Sequence, residues 1–270
     1  TGQNEQTSSI MTFPDNKVLF RSDNNAPLSI VSQRYQVVQP REILEFYRDL
    51  TEVSGFELET AGVLKGGRKI WALAKTGQSV ALKGNDVTNG YILLATACDG
   101  TLATTAQFTS IRVVCNNTLA VALANGNRGV VKVPHNTSFD AQAVKKQLGI
   151  SVSAWDEFMY GLKNLSERKV KSAEAQNYVW RVFNDNSNKS SSSSNERAMA
   201  KVMTLFDGGG QGSDLVSAKG TVFGLLNSVT EFVDHERRAF NPDNRLDSAW
   251  FGQGAAIKQK ALDEALLMIA

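Results

Sequence analysis

Phe56-Glu-Leu-Glu-Thr-Ala-Gly-Val-Leu64, Lys65-Gly-Gly-Arg68 and Lys69-Ile-Trp-Ala-Leu-Ala-Lys75 read in order as a strand, a tight turn and a second strand. Two adjacent glycines between β-prone runs mark a hairpin, because both tolerate positive φ. A similar pattern lies on either side. Upstream, Lys17-Val-Leu-Phe-Arg21 and Leu28-Ser-Ile-Val31 flank the turn-rich Asp23-Asn-Asn-Ala-Pro27. Downstream, Tyr91 to Cys98 and Thr101 to Phe108 flank Asp99-Gly100, the stronger hairpin signal. Between the first two hairpins, Pro40 opens a helix whose Ile43, Leu44, Phe46, Tyr47, Leu50 and Val53 recur at helical spacing up to Gly55. The spacing of Val114, Leu119 and Leu123 predicts a further helix over Ile111 to Ala124, packed on the sheet.

After residue 139 the pattern turns helical, over Ala141–Leu148, Ser153–Leu165, Ser172–Phe183, from Asn195 to the glycines at 208, Thr221–Val233 and Ala255–Ile269. Asn184 to Asn195 is Ser-rich, lacks apolar anchors and is expected to be a flexible loop. The fold class is therefore α+β: an antiparallel sheet of β-hairpins with a packed helix, followed by a mostly helical C-terminal half. The organisation expected is a β-rich basic core domain over 1–139 and a helical region over 140–270.

The net charge of +2 hides an uneven distribution. Residues 1–60 carry 5 basic and 9 acidic side chains, residues 61–139 carry 8 and 2, and residues 140–270 carry 16 of each. A basic middle third suits an anionic partner. Lys65, Arg68, Lys69 and Arg112 are the expected phosphate contacts, with Lys83, Arg128 and Lys132 in support. Asn116 and Asn117 add hydrogen-bond donors, although Asn near a helix start is as often a cap. Lysine also guards sheet edges, so these cations equally fit a solvated edge. Trp71, Tyr91 and Phe108 suit base stacking or the core.

No nucleophile elbow or phosphate-binding loop is present, and Gly208-Gly-Gly-Gln-Gly212 lacks the Lys-Ser/Thr of the latter and reads as a flexible connector. Asp234-His-Glu-Arg-Arg238 reads as a charged helix end in which Asp234 pairs with Arg237 or Arg238. His135 sits in a short loop. Cys98 and Cys115 form no metal-type pair and read as buried small hydrophobes in a reducing, cytoplasmic setting. Neither a signal peptide nor a membrane span is evident. No catalytic residue, metal or cofactor is called for.

Four stretches carry a resemblance: Ser32-Gln-Arg-Tyr-Gln-Val-Val-Gln39; Glu59 to Leu73; Phe108-Thr-Ser-Ile-Arg-Val-Val-Cys-Asn-Asn-Thr-Leu119; and Val229 to Arg238 together with Ser248-Ala-Trp-Phe-Gly-Gln-Gly254. They resemble a family of phage- and plasmid-encoded proteins built on a conserved domain of unknown function. The resemblance implies a mobile-element setting and a further N-terminal segment before Thr1, but no activity. In topology, a helix over 41–54, a hairpin over 56–75, strands over 80–108 and a helix over 111–124 are similar to the core of ring-forming single-strand annealing proteins of the Red-beta and RecT kind. That analogy implies a homo-oligomeric ring or filament on single-stranded nucleic acid. The function expected is thus single-stranded DNA binding, with strand annealing, in recombination or establishment of a mobile element. Two alternatives remain: a metal-dependent nuclease or other nucleic-acid enzyme, if carboxylates such as Asp86 and Asp99 converge, and a protein that engages a host factor in defence or counter-defence.

Overall fold

Strand pairing follows the hairpin signals. The computed structural model describes residues 13–37, 39–121, 130–133, 141–148, 152–184 and 193–270. β1 (Asn16–Phe20) pairs with β2 (Pro27–Ser32) as a separate two-stranded sheet. A helix, α1 (Pro40–Ser54), follows, with Pro40 in its first turn. The Glu42 carboxylate there accepts the Gln39 N–H at 2.7 Å, and Gly55 ends the helix at φ +69°. Ile43, Phe46, Tyr47 and Leu50 form its buried face.

The main sheet contains β3 (Glu57–Leu64), β4 (Lys69–Leu82), β5 (Asp86–Ala97), β6 (Thr104–Arg112) and β7 (Asn117–Ala120) in that spatial order. β8 (Val130–Val133) lies beside β7 along the same edge of β6. All pairings are antiparallel. The turn from β3 to β4 needs its glycines: Gly66 and Gly67 stand at φ +67° and +93°. Arg21 of the first hairpin donates to the Gly66 carbonyl at 2.8 Å and so pins the small sheet to this turn.

Strand alternation gives the sheet two buried faces. Ile70, Ala72, Ile92, Leu94, Ala106 and Phe108 face the main core. That core continues into α3 (Val152–Glu167), α4 (Ser172–Phe183), α5 (Ser193–Thr204), α6 (Val222–Glu231) and α8 (Gln253–Leu267). Residues of 1–139 and of 140–270 thus share one hydrophobic cluster, to which Val144 of α2 (Ala141–Leu148) also belongs. On the opposite face, Leu73, Tyr91 and Leu93 form a smaller cluster with Trp71 and Ile111. It is covered by Trp250 and Phe251 of α7 (Pro242–Phe251), with the Trp71 and Trp250 rings edge to face at 5.0 Å.

The helix expected over Ile111 to Ala124 is a correction. Residues 111–120 instead finish β6, turn and form β7, while residues 122–124 lie outside the described residues. Asn116 stands at φ +53°, a left-handed conformation that Asn tolerates, and its N–H donates to the Arg112 carbonyl at 2.8 Å. Ile111, Val113, Val114 and Thr118 are β-branched and favour strands, and tertiary pairing overrides the helical spacing of Val114, Leu119 and Leu123. The annealing-type topology loses its closing helix here. A second difference is α7, for which Asn241-Pro242 is the overlooked start signal: the Asn241 side chain accepts the Asn244 N–H at 2.8 Å. Most of the Ser-rich tract (185–192), Arg128 and His135 lie outside the described residues. Among the described residues no helix is long and apolar enough to cross a membrane.

Candidate nucleic-acid interface

The expected phosphate contacts fall into two groups at opposite ends of the sheet. Lys65, Arg68 and Lys69 share the β3–β4 turn, where Lys69 pairs with Ala97. Arg112 pairs with Thr88, nine residues along the same β5 strand, or roughly 30 Å away at strand rise. They do not form one groove.

In the first group two of the three cations share one carboxylate. The Lys65 amine lies 2.6 Å from the Asp247 carboxylate of α7, and its backbone N–H donates to Asp243 at 3.2 Å. Lys69 donates to the other Asp247 oxygen, with its side chain 11% exposed and its amine 5.5 Å from the centre of the Phe251 ring. Burial pushes the Asp247 carboxyl upward, but the hydrogen bonds and charges of Lys65 and Lys69 outweigh it and hold the group below its ordinary value. This is a clamp between the turn and α7. Arg68 remains exposed beside it, and its carbonyl accepts the Cys98 N–H at 2.7 Å. Lys83 lies 3.5 Å from Glu167, while Lys132 is exposed on β8.

The second group is buried. Arg112 is 4% exposed and grips Asp86 through Nε and Nη2 at 2.8 Å each. Ser217 donates to the same carboxylate at 2.6 Å. Burial opposes the Arg112 charge, yet its Asp86 bond keeps the guanidinium above its ordinary pKa. Its remaining donors reach the carbonyls of Gln211 (3.4 Å) and Gly212 (3.0 Å). The glycine run is therefore not a free connector: it is tied to Arg112, and the Gln211 N–H donates to buried Glu231 at 3.1 Å. Asn117 is buried and donates to the Asn227 carbonyl at 3.3 Å, and Asn116 serves the turn. Arg112 and Asn117 are therefore turned into the protein, while the Asn116 side chain is exposed.

Asp86 and Asp99 do not converge either. They flank β5 at its two ends, and Asp99 accepts from Thr101. Among the described residues no group of three His, Cys, Asp or Glu could hold a metal ion.

Sequence spacing misassigned one further carboxylate. Asp234 does not pair with Arg237 or Arg238; it turns inward, accepting from Lys258 at 2.7 Å and from the Thr118 N–H at 2.7 Å. Glu236 pairs with Lys201 at 3.1 Å. The two arginines are left facing a cavity of about 230 Å³ beside α7, together with Arg245 and Phe240. No Asp or Glu lines this cavity. Arg237 donates to Ser248 Oγ at 2.8 Å and Gln253 Oε1 at 2.5 Å, and Arg245 to the carbonyls of Arg237 (3.0 Å) and His235 (2.7 Å). Every one of these partners is neutral. Phe240 stands at the rim, 94% exposed. These residues sat in the quoted stretches 229–238 and 248–254 or between them, but composition gave no signal, because the C-terminal half balances sixteen against sixteen.

The profile of a family described as Domain of unknown function (DUF932) matches residues 27–250. The chain belongs to the DUF932 family. No curated protein and no solved structure matches it. The DUF932 match begins at β2 and ends within α7, so it includes the turn clamp, the Arg112–Asp86 pair and all three cavity arginines. It stops short of Gln253 and Lys258, which α8 supplies.

Proposed function

We propose that this DUF932 protein binds single-stranded nucleic acid, with Arg237, Arg238 and Arg245 as its phosphate contacts and Phe240 as a stacking platform. One observation carries the reading: three guanidinium groups line a cavity without a carboxylate, beside a fully presented aromatic ring. A positive recess with an adjacent ring is the arrangement that follows a strand, since phosphates pair with the cations and any base can stack. The β3–β4 turn is the weaker surface, because Asp247 offsets Lys65 and Lys69 and leaves Arg68 without a neighbouring free cation. The likeness of the quoted stretches to phage- and plasmid-encoded proteins supports a role in recombination or establishment of a mobile element.

The test is fluorescence anisotropy with a labelled strand of about 30 nucleotides, long enough for the site sizes typical of single-strand binders. Arg238→Glu combined with Phe240→Ala is expected to weaken binding at least about tenfold, because charge-assisted contacts contribute about 1.5–3 kcal/mol each. Both residues are exposed, so the melting curve should stay that of the parent. Unchanged affinity in the double variant would remove the proposal.

A further inference from the structure

The arginine cavity is lined by both buried and exposed residues. Val233 is buried and Ser248 half-buried, whereas Arg238 and Phe240 are exposed. Resting on the strand-binding reading above, we infer that this cavity takes the terminal phosphate monoester of a strand, with the terminal base stacked on Phe240.

The charge supports an end rather than an internal phosphate. An internal phosphodiester carries a single negative charge and two free oxygens. A terminal monoester carries about −1.5 to −2 near pH 7 and offers three acceptor oxygens. The cavity presents three guanidinium groups, each with five N–H donors in a planar fork suited to bidentate phosphate contacts. Arg237 and Arg245 each direct two donors to neutral protein atoms, which fixes the forks and leaves three apiece. Three like charges around one recess repel each other, and no carboxylate in the lining relieves them. A dianion relieves this better than a monoanion. The partners of Arg237 and Arg245 are two carbonyls, a hydroxyl and an amide, so the forks are held without being neutralised, which is the requirement for a preorganised anion site.

Terminal phosphate could belong to either end of a strand or to free phosphate, and one experiment separates these sources. Three internally labelled strands of one sequence, ending in a 5′-phosphate, a 3′-phosphate or hydroxyls only, are compared by anisotropy near neutral pH, at about 7.5, where the monoester is dianionic. One phosphorylated end should bind about tenfold tighter than the hydroxyl-ended strand, the gain of one further charge-assisted hydrogen bond. That preference should shrink at about pH 5, because the second proton of a monoester titrates near 6 and only a monoanion remains. Millimolar inorganic phosphate should remove the preference. Arg238→Ala should likewise equalise the three strands. Equal affinity of all three strands for the parent protein would overturn the terminal-phosphate inference and leave strand binding standing. Binding of none of them would overturn both, and a preference that persists unchanged in Arg238→Ala would place the end elsewhere and overturn this assignment.

Discussion

The β3–β4 turn and the recess beside α7 both gather three cations within a few residues, yet they meet opposite surroundings. At the turn, Lys65 and Lys69 share the Asp247 carboxylate, and α7 presses an aromatic ring beneath Lys69. Across α7, Arg237 and Arg245 are steadied by hydroxyl, amide and carbonyl groups and meet no acid. Cations paired with carboxylates hold elements together; cations held by neutral groups keep their charge for something else. One short helix supplies both, with Asp243 and Asp247 toward the turn and Asn244, Arg245 and Ser248 toward the recess.

The largest effect expected from this contrast lies at the far end of the sheet. Asp86→Ala strands a buried Arg112 guanidinium, frees the Ser217 hydroxyl and loosens the glycine loop that Arg112 holds. Breaking one partner of a buried pair costs about 3–5 kcal/mol, so urea unfolding should give an unfolding free energy lower by that amount or a chain that no longer folds. A shift under about 1 kcal/mol would mean the pair is solvated and that Arg112 is available at the surface after all.

A smaller loss is expected at the clamp. Asp247→Asn removes the charge that Lys65 and Lys69 share and should cost about 2 kcal/mol, read by the same unfolding curves. The same contact predicts a pH response. Because the Asp247 carboxyl titrates below its ordinary value in the fold, its contribution is fully present above the unfolded carboxylate range near ~4. It fades as pH falls through the lowered folded value. Trp250 stands three residues along α7 and touches Trp71, so its fluorescence should report the release in acid, and Asp247→Asn should abolish that transition. A parent transition that survives in the variant would assign it to another carboxylate.

Much of this architecture was legible in the residues. Glycines at positive φ, Pro40 and the Phe46–Leu50 stripe mark hairpins and α1 because local chemistry and tertiary position agree there. Over residues 111–120 the spacing of Val114 and Leu119 points to a helix, while the β-branched residues and Asn116 obey the sheet. The site was harder to see. Counting charge along the chain located the cations but could not locate Asp247, which lies 178 residues from Lys69 and engages two of the three cations that the count favoured. Equally, a balanced C-terminal half concealed an unbalanced recess, since Asp234 turns to Lys258, 24 residues away, rather than to Arg237 or Arg238. Neutralisation is a property of three-dimensional partners, and only the cap signal of Asn241-Pro242, the start of the helix between the two sites, was readable in advance.

The most direct test of the contrast is the salt dependence of single-strand binding, measured in parallel for the parent, Arg238→Glu and Arg68→Glu. Removing one cation that pairs with a phosphate flattens the log–log slope by about 0.7 on single strands. Arg238→Glu should flatten the slope by at least that amount and weaken binding, while Arg68→Glu should keep the parent slope within error. The opposite pattern, a flattened slope for Arg68→Glu and a parental slope for Arg238→Glu, would return the binding surface to the β3–β4 turn and contradict the assignment of the recess.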